Sequence, residues 1–190
     1  GGPASILVSS THGYHPEWEG KTVEQLSQEF QMDPVDTVIQ VLEQCDSSVA
    51  CIYFCINEAD MLRIMSDMNI CVGSDGYNFS CTDPHPRSFG TFPRFLRLVR
   101  EHELMPLEDA VYKITGLPAQ ILGLTDRGTL REGAVADITV FDPEAIRDCS
   151  EFTDSVKKPE GIRYVLVGGN VVLQNGISTG SRTGGVLKKR

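Results

Sequence analysis

No apolar run in this chain of 190 residues approaches the roughly 20 residues that a helix needs to cross a bilayer. No basic-then-apolar leader is read at its start, so no membrane association is expected and a cytoplasmic setting is. Methionine is missing from position 1, where a glycine stands; the expectation is a processed N-terminus or a piece of a longer chain. Basic charge is in short supply. Seventeen Lys and Arg face 26 Asp and Glu, giving a net charge of −9 and a pI of about 4.9. A general nucleic-acid binder needs a basic face, so that class is set aside. The acidic residues are spread along the chain and indicate no particular substrate. Repeats and low-complexity tracts are absent as well.

What is present fits an ordinary folded protein. Hydrophobic residues make up 41% and charged residues 23% of the chain, enough apolar material for a real core. Six cysteines occur, at Cys45, Cys51, Cys55, Cys71, Cys81 and Cys149. Most lie in or beside apolar runs, where a free thiol behaves as a small hydrophobe, and reduced thiols are expected. Cys51 and Cys55 would share one face of a strand about 13 Å apart, too far to hold one metal ion together.

The pattern alternates between strand and helix over the first part of the chain. SILVSS at 5–10 reads as a strand. Thr22 with Gln25 has capping-box spacing and opens a helix that ends near Phe30. Asp33-Pro34 starts a second helix, with Val35, Val38, Ile39 and Leu42 at the spacing of a buried face. VACIYFCI at 49–56 reads as a strand covered on both faces. Asn57 caps the next helix, whose expected buried stripe is Met61, Leu62, Ile64, Met65 and Met68. Ile70 to Gly73 reads as another strand, which would complete a parallel βαβ unit. Further helices are expected from Phe92 to His102, with Pro93 in the first turn, and from Pro106 to Thr115. A helical turn follows at 119–122. The remainder is β-rich: a strand at 137–141, then two strands joined by Gly168-Gly169-Asn170 as a hairpin.

The chemistry concentrates in ICVGSDGYNFSCTDPHPRSFGTFPRF, residues 70–95. Asp75 stands just past the carboxyl end of an expected parallel strand, the edge at which α/β folds place their reactive groups. Taken alone, Gly73-Ser74-Asp75-Gly76 is an ordinary turn whose aspartate bonds nearby amides. Arg87 sits in a loop stiffened by Pro84 and Pro86, and a fixed guanidinium fork suits a carboxylate. His85, between those prolines, is expected to orient the loop or touch substrate. His12 and His15 form an HxxH without a third ligand nearby, and His102 falls late in a helix; all three are read as structural.

GSDG, HPRSFGTFPRFL, ITGLPAQILGLTDRGTLREGAVADITVFD and IRYVLVGGNVVLQNG follow one another in an order that resembles the C-terminal half of the N-acyl-D-amino-acid deacylases (D-aminoacylases). These belong to the metal-dependent amidohydrolase superfamily. HPEWEGKTVEQLSQEFQMDPVDTVIQVL extends the resemblance over nearly the whole chain. Gly128 to Asp142 alone would indicate an amidohydrolase of some kind; HPRSFGTFPR narrows it to this branch and argues against a dihydropyrimidinase-like or dihydroorotase-like enzyme.

The resemblance implies an α/β fold: the C-terminal part of a (β/α)8 barrel in residues 1–123 and part of a small β-sandwich in residues 124–190. The runs at 49–56 and 70–73 would be the last two barrel strands. It implies zinc at the barrel mouth. Asp75 would take a proton from the zinc-bound water and give it to the leaving amine. Arg87 would hold the α-carboxylate of an N-acyl-D-amino acid, with His85 beside it, and the family's substrate-contacting serine would fall at Ser9 or Ser10. The histidine zinc ligands of the family are missing, so the ligands are expected mostly outside this chain, with Asp75 the one candidate inside it. A complete barrel takes about 250 residues. The chain is therefore expected to self-associate or to need a complementary N-terminal half. The alternative expectation is a non-catalytic fragment that folds by self-association and binds no zinc.

Overall fold

Side-chain caps decide where the first helices begin. The computed structural model describes residues 1–76 and 84–187. In it, Gln25 N donates to Thr22 Oγ1 at 3.2 Å and Thr22 N donates to Gln25 Oε1 at 2.8 Å, so both halves of the expected capping box form and α1 runs Val23–Phe30. Val35 N donates to Asp33 Oδ1 at 2.8 Å, and α2 follows as Pro34–Gln44. Asn57 Oδ1 accepts from Ala59 N and Asp60 N and opens α3, Glu58–Ser66. The remaining helices are α4 (Arg87–Glu101), α5 (Leu107–Ile114) and α6 (Gly116–Ile121). None of the helices is long and apolar enough to cross a membrane, among the described residues.

The chain forms two compact units, each discontinuous in sequence: Gly1–Met61 with Asp75–Phe89 and Ser150–Lys157, and Leu62–Ser74 with Gly90–Cys149 and Lys158–Arg190. The first unit holds a two-stranded sheet of β1 (Ile6–Ser10) and β2 (Ala50–Tyr53). They pair antiparallel with Leu7 opposite Ile52 and Val8 opposite Cys51, and the register shifts around Ser9. Val8, Trp18, Leu26, Val41 and Cys45 make its core, with Phe30 and Val49 packed against them.

The second unit holds a four-stranded antiparallel sheet in the order β3 (Ile138–Phe141), β4 (Ile162–Val167), β5 (Asn170–Gln174), β6 (Ile177–Ser178). The expected hairpin is there. Gly168 and Gly169 both take positive φ, 55° and 80°, a conformation nearly free for glycine and costly for other residues. Gly168 N donates to Asp137 Oδ1 at 2.9 Å, which ties the turn to the residue before β3. Phe95, Leu96, Val99, Ala110 and Ile146 form the core, joined by Met65, Val72 and Ile114.

The fold class is α/β, as expected, but the local reading needs four corrections. Ile70–Gly73 is not a strand. Its Val72 N–H donates to Lys113 O at 3.4 Å, a bond to a helix end that gives no ladder. Nor does 49–56 form a parallel, doubly covered strand: β2 pairs antiparallel with β1, and Tyr53, Phe54 and Ile56 are exposed. A parallel strand needs neighbours on both edges and helices on both faces, and the described residues supply neither here. The expected apolar stripes of α2 and α3 are largely uncovered, with Val35, Ile39, Leu42, Ile64 and Met68 exposed and Val41 and Thr37 buried in their place. Finally, α4 begins at Arg87 and carries Pro93 inside it. Pro86 lies just before the first turn and sets φ there.

Candidate functional site

Asp75 has φ 47°, in the left-handed region. Aspartate tolerates that region better than most residues, though such a backbone is held only where its surroundings fix it. The turn Gly73-Ser74-Asp75-Gly76 has no regular structure, and residues 77–83, with Cys81 among them, lie outside the described residues. The chain resumes at Pro84. Arg87 N donates to His85 Nδ1 at 3.1 Å, while Ser88 N and Phe89 N donate to the carbonyls of His85 and Pro86, both at 3.0 Å. His85 therefore caps α4 with its side chain, a role that uses one of the helix's orphan amides. Its ring stands edge-on to Phe152, centroids 5.5 Å apart at 87°, and Phe152 in turn meets Phe54 at 4.8 Å and 83°. This aromatic wall holds the imidazole in place.

With the helix start held in this way, Arg87 reaches Asp75. Nη1 lies 3.1 Å from Oδ2, with the side chains 41% and 68% exposed. The two residues that sequence reasoning singled out are thus brought together as an ion pair. So exposed a pair contributes little to stability. Its chemical meaning is different. A guanidinium fork already holding one carboxylate in reach of solvent is a place where a second carboxylate can compete. The carboxylate it holds is itself a group that can accept and return a proton.

The other candidates have different employment. Ser9 Oγ donates to Ala50 O at 3.1 Å, tying β1 to β2, and Ser10 is buried with its Oγ accepting from His12 N at 3.2 Å. His15 stacks on Trp18, centroids 3.8 Å apart at 9°, and its Nδ1 pairs with Glu17 Oε1 at 2.9 Å; the bond to His15 is the main reason that the Glu17 carboxyl is held below its usual range. Thr11, at the end of β1, is buried and donates from N and Oγ1 to Glu19 Oε1 at 2.7 and 3.0 Å. His15 is therefore part of the scaffold.

Among the described residues no group of three or more His, Cys, Asp or Glu stands close enough to hold a metal ion. The five described cysteines are free thiols, and burial pushes the thiols of Cys45 and Cys51 up, which keeps them protonated.

Sequence reasoning missed two features, one in each unit. One is the cap from His85, for which Pro86 followed by Arg87-Ser88 was the available signal. The other is Lys113, fully buried on α5, which the helical pattern presents as an ordinary polar position.

A family model described as "Amidohydrolase family" matches residues 61–173. An N-acyl-D-aspartate deacylase of Alcaligenes xylosoxydans xylosoxydans is 37% identical over 182 residues, covering 95% of this chain and 35% of that protein. Among solved structures, a D-aminoacylase studied for the role of its binuclear metal centre superposes with a TM-score of 0.87 at 36% identity, over 97% of this chain and 38% of that one. The N-acyl-D-glutamate deacylase of Bordetella bronchiseptica, complexed with zinc and a phosphonate mimic of the tetrahedral intermediate, gives a TM-score of 0.80 at 35% identity, over 89% of this chain and 34% of that one. The chain thus spans about a third of the length of the relatives it matches.

Proposed function

This chain belongs to the amidohydrolase family, and on that premise we propose that it is the C-terminal portion of an N-acyl-D-amino-acid deacylase, which hydrolyses the amide to a carboxylate and a free D-amino acid. The observation that carries this reading is the 3.1 Å pair of Asp75 and Arg87, two residues that stand in the motifs GSDG and HPRSFGTFPR. The likeness to the N-acyl-D-aspartate deacylase over 95% of the chain supports the substrate class. In this assignment residues 1–123 belong to the barrel and 124–190 to the β-sandwich. The free thiols are in keeping with a cytoplasmic setting.

Each residue has a defined task. Arg87 binds the α-carboxylate of the substrate through its fork, and His85 holds the first turn from which Arg87 projects. Binding of that carboxylate competes with Asp75 for the guanidinium. The freed Asp75 accepts a proton from the attacking water as the C–O bond forms, then delivers it to the amide nitrogen as the C–N bond breaks. Water and amide become carboxylate and ammonium once the second proton of the water also passes to the freed amine, with no other reactant. Zinc is the cofactor in this reading, by analogy with the N-acyl-D-glutamate deacylase complex. The described residues do not themselves make its site, and in this reading its ligands belong to the remainder of the family's fold.

The test is to join the chain to that remainder, load the product with zinc, and measure hydrolysis of N-acetyl-D-amino acids. Asp75→Asn is expected to lower kcat by about 100-fold or more, and Arg87→Ala to raise KM chiefly. An Asp75→Asn enzyme as fast as wild type would remove Asp75 from the chemistry.

A second reading has its own support. The uncovered apolar residues of α2 and β2 and the lack of a metal group among the described residues suit a non-catalytic fragment that self-associates. The chain joined to the remainder separates the two: stoichiometric, tightly held zinc together with hydrolysis of N-acetyl-D-amino acids would count against the fragment reading.

A further inference from the structure

The first three amides of α4 are served by two residues, and one of the acceptors can be switched off. Ser88 N and Phe89 N donate to the carbonyls of His85 and Pro86, both at 3.0 Å. Arg87 N donates to His85 Nδ1 at 3.1 Å. A backbone N–H can only donate, so this ring nitrogen carries no proton and the neutral ring keeps its proton on Nε2. An imidazolium has donors on both nitrogens and no acceptor. Protonation of His85 therefore removes the bond to Arg87 N, whichever way the ring is turned, and puts a cation at the positive pole of a helix. Imidazole makes this change of charge between about pH 5 and 8.

The contacts that matter lie within one compact unit, made of Gly1–Met61, Asp75–Phe89 and Ser150–Lys157. The half-buried ring stands edge-on to Phe152, and Phe152 edge-on to Phe54. Among the described residues, the titratable and charged groups on the elements around it are Arg87 on α4, Glu151, Asp154 and Lys157 on the segment of Phe152, and Tyr53 and Cys55 beside Phe54. Lys157 Nζ lies 2.7 Å from Asp154 Oδ2 and 3.6 Å from Glu151 Oε1, so those carboxylates have a cation of their own. Arg87 Nη1 meets Asp75 Oδ2 at 3.1 Å. The ring that titrates and the guanidinium that binds are thus two positions apart, joined by a hydrogen bond to the backbone of the binding residue itself.

We propose that His85 is a positioning residue that makes the Arg87 clamp pH-sensitive: as neutral imidazole it fixes the backbone from which Arg87 projects, and on protonation it releases that backbone, so that a substrate carboxylate binds less tightly in acid. The inference rests on Arg87 being the anchor of the substrate, and its first test does not depend on activity. In the 190-residue chain, nitrogen-15 NMR of the neutral His85 ring is expected to show a bare Nδ1 and the proton on Nε2. Exchange of the Arg87 amide, taken relative to its intrinsic rate at each pH, is expected to be slow while the ring is neutral and to quicken by roughly 2- to 30-fold as the ring takes its second proton. A proton on Nδ1 of the neutral ring, or protection of Arg87 that ignores the ring's titration, would overturn the inference. The Leu26 amide, inside α1, is expected to keep its protection; equal quickening there would mean general unfolding and would overturn the local claim. His85→Asn supplies a capping acceptor that does not titrate and is expected to hold the Arg87 protection constant over the same range. His85→Ala is expected to lack that protection throughout.

In the chain joined to its remainder and loaded with zinc, KM for an N-acetyl-D-amino acid is then expected to rise as His85 is protonated, and His85→Asn to flatten that rise. A merely structural role would raise KM equally at every pH. An active enzyme whose KM ignores the ring's titration, or a His85→Asn enzyme that keeps the rise, would overturn the inference. An inactive wild-type enzyme whose ring and Arg87 amide behave as expected would instead overturn the functional reading and leave the capping switch standing.

Discussion

Helices α2 and α4 carry the same message in their sequences and receive opposite answers. Each presents apolar residues at helical spacing. On α4, Phe95, Leu96, Leu98 and Val99 are all buried, packed in part against Ala110 and Ile146. On α2, Val35 is 67% and Ile39 49% exposed, while Val41 alone of its large apolar residues is fully buried. Periodicity records which face seeks cover. Whether cover exists depends on what lies opposite, and for α4 the second unit supplies it. For α2 the partly buried Val38 and the exposed Leu42 line an apolar groove beside Val8 and Val49, and the outer residues meet solvent.

The polar flank of α4 sharpens the contrast. Arg97 donates from Nε to Asp148 Oδ1 at 2.8 Å and also pairs with Glu101 at 2.7 Å, and Asp148 is only 8% exposed. The bond to Asp148 holds the guanidinium above its usual range. Arg100 Nη1 donates to the carbonyls of Pro143 and Ile146. Three arginine bonds thus bind the far side of the helix to the segment at 142–150. On α2, by contrast, Thr37 Oγ1 donates back to Asp33 O at 2.9 Å, a bond within the helix's own first turn.

Substitutions can break this comparison. The largest effect is expected from Phe95→Ala, about 3–5 kcal/mol of lost stability by chemical denaturation, because the side chain leaves a cavity in a closed core. A loss under about 1 kcal/mol would mean that α4 is not covered as described. Asp148→Ala comes next, at about 1–3 kcal/mol, since it strips a nearly buried partner from a guanidinium that is a quarter exposed. Ile39→Ser on α2 is expected to change stability by less than about 0.5 kcal/mol in the isolated chain. Joined to the remaining two-thirds of the family's fold, the same substitution is expected to cost about 1.5–3 kcal/mol, the value of a buried aliphatic side chain. An equal effect in both settings would show that α2's outer face never finds a partner.

The parts legible in the sequence were those governed by neighbours along the chain. Thr22 with Gln25, Asp33 with Pro34, and Gly168-Gly169 act over three or four residues, and their caps and turn appear where expected. Asp75 and Arg87 were each legible as charged residues of one stretch, but their ion pair was not, since the sequence reading left them unpaired. The strand expected at Ile70–Gly73 failed for the complementary reason: a β-strand exists only through hydrogen bonds to another segment, and here the available donor and acceptor sites belong to α5. Lys113 gave no signal at all, since nothing in the local pattern of α5 distinguishes a lysine that faces water from one that reaches the end of α3. Its role comes from contacts 41 to 46 positions away in the chain.

The sequence by itself determined the starts of the first three helices, the hairpin and the family, because caps, turns and motifs are contracts between residues close in the chain. Only the tertiary structure decided that β1 and β2 run antiparallel, that α4 is covered while α2 is open, and that a buried lysine of α5 bonds the carbonyl just past α3. Those outcomes depend on surfaces meeting at a distance, and burial energy is settled by the partner as much as by the residue.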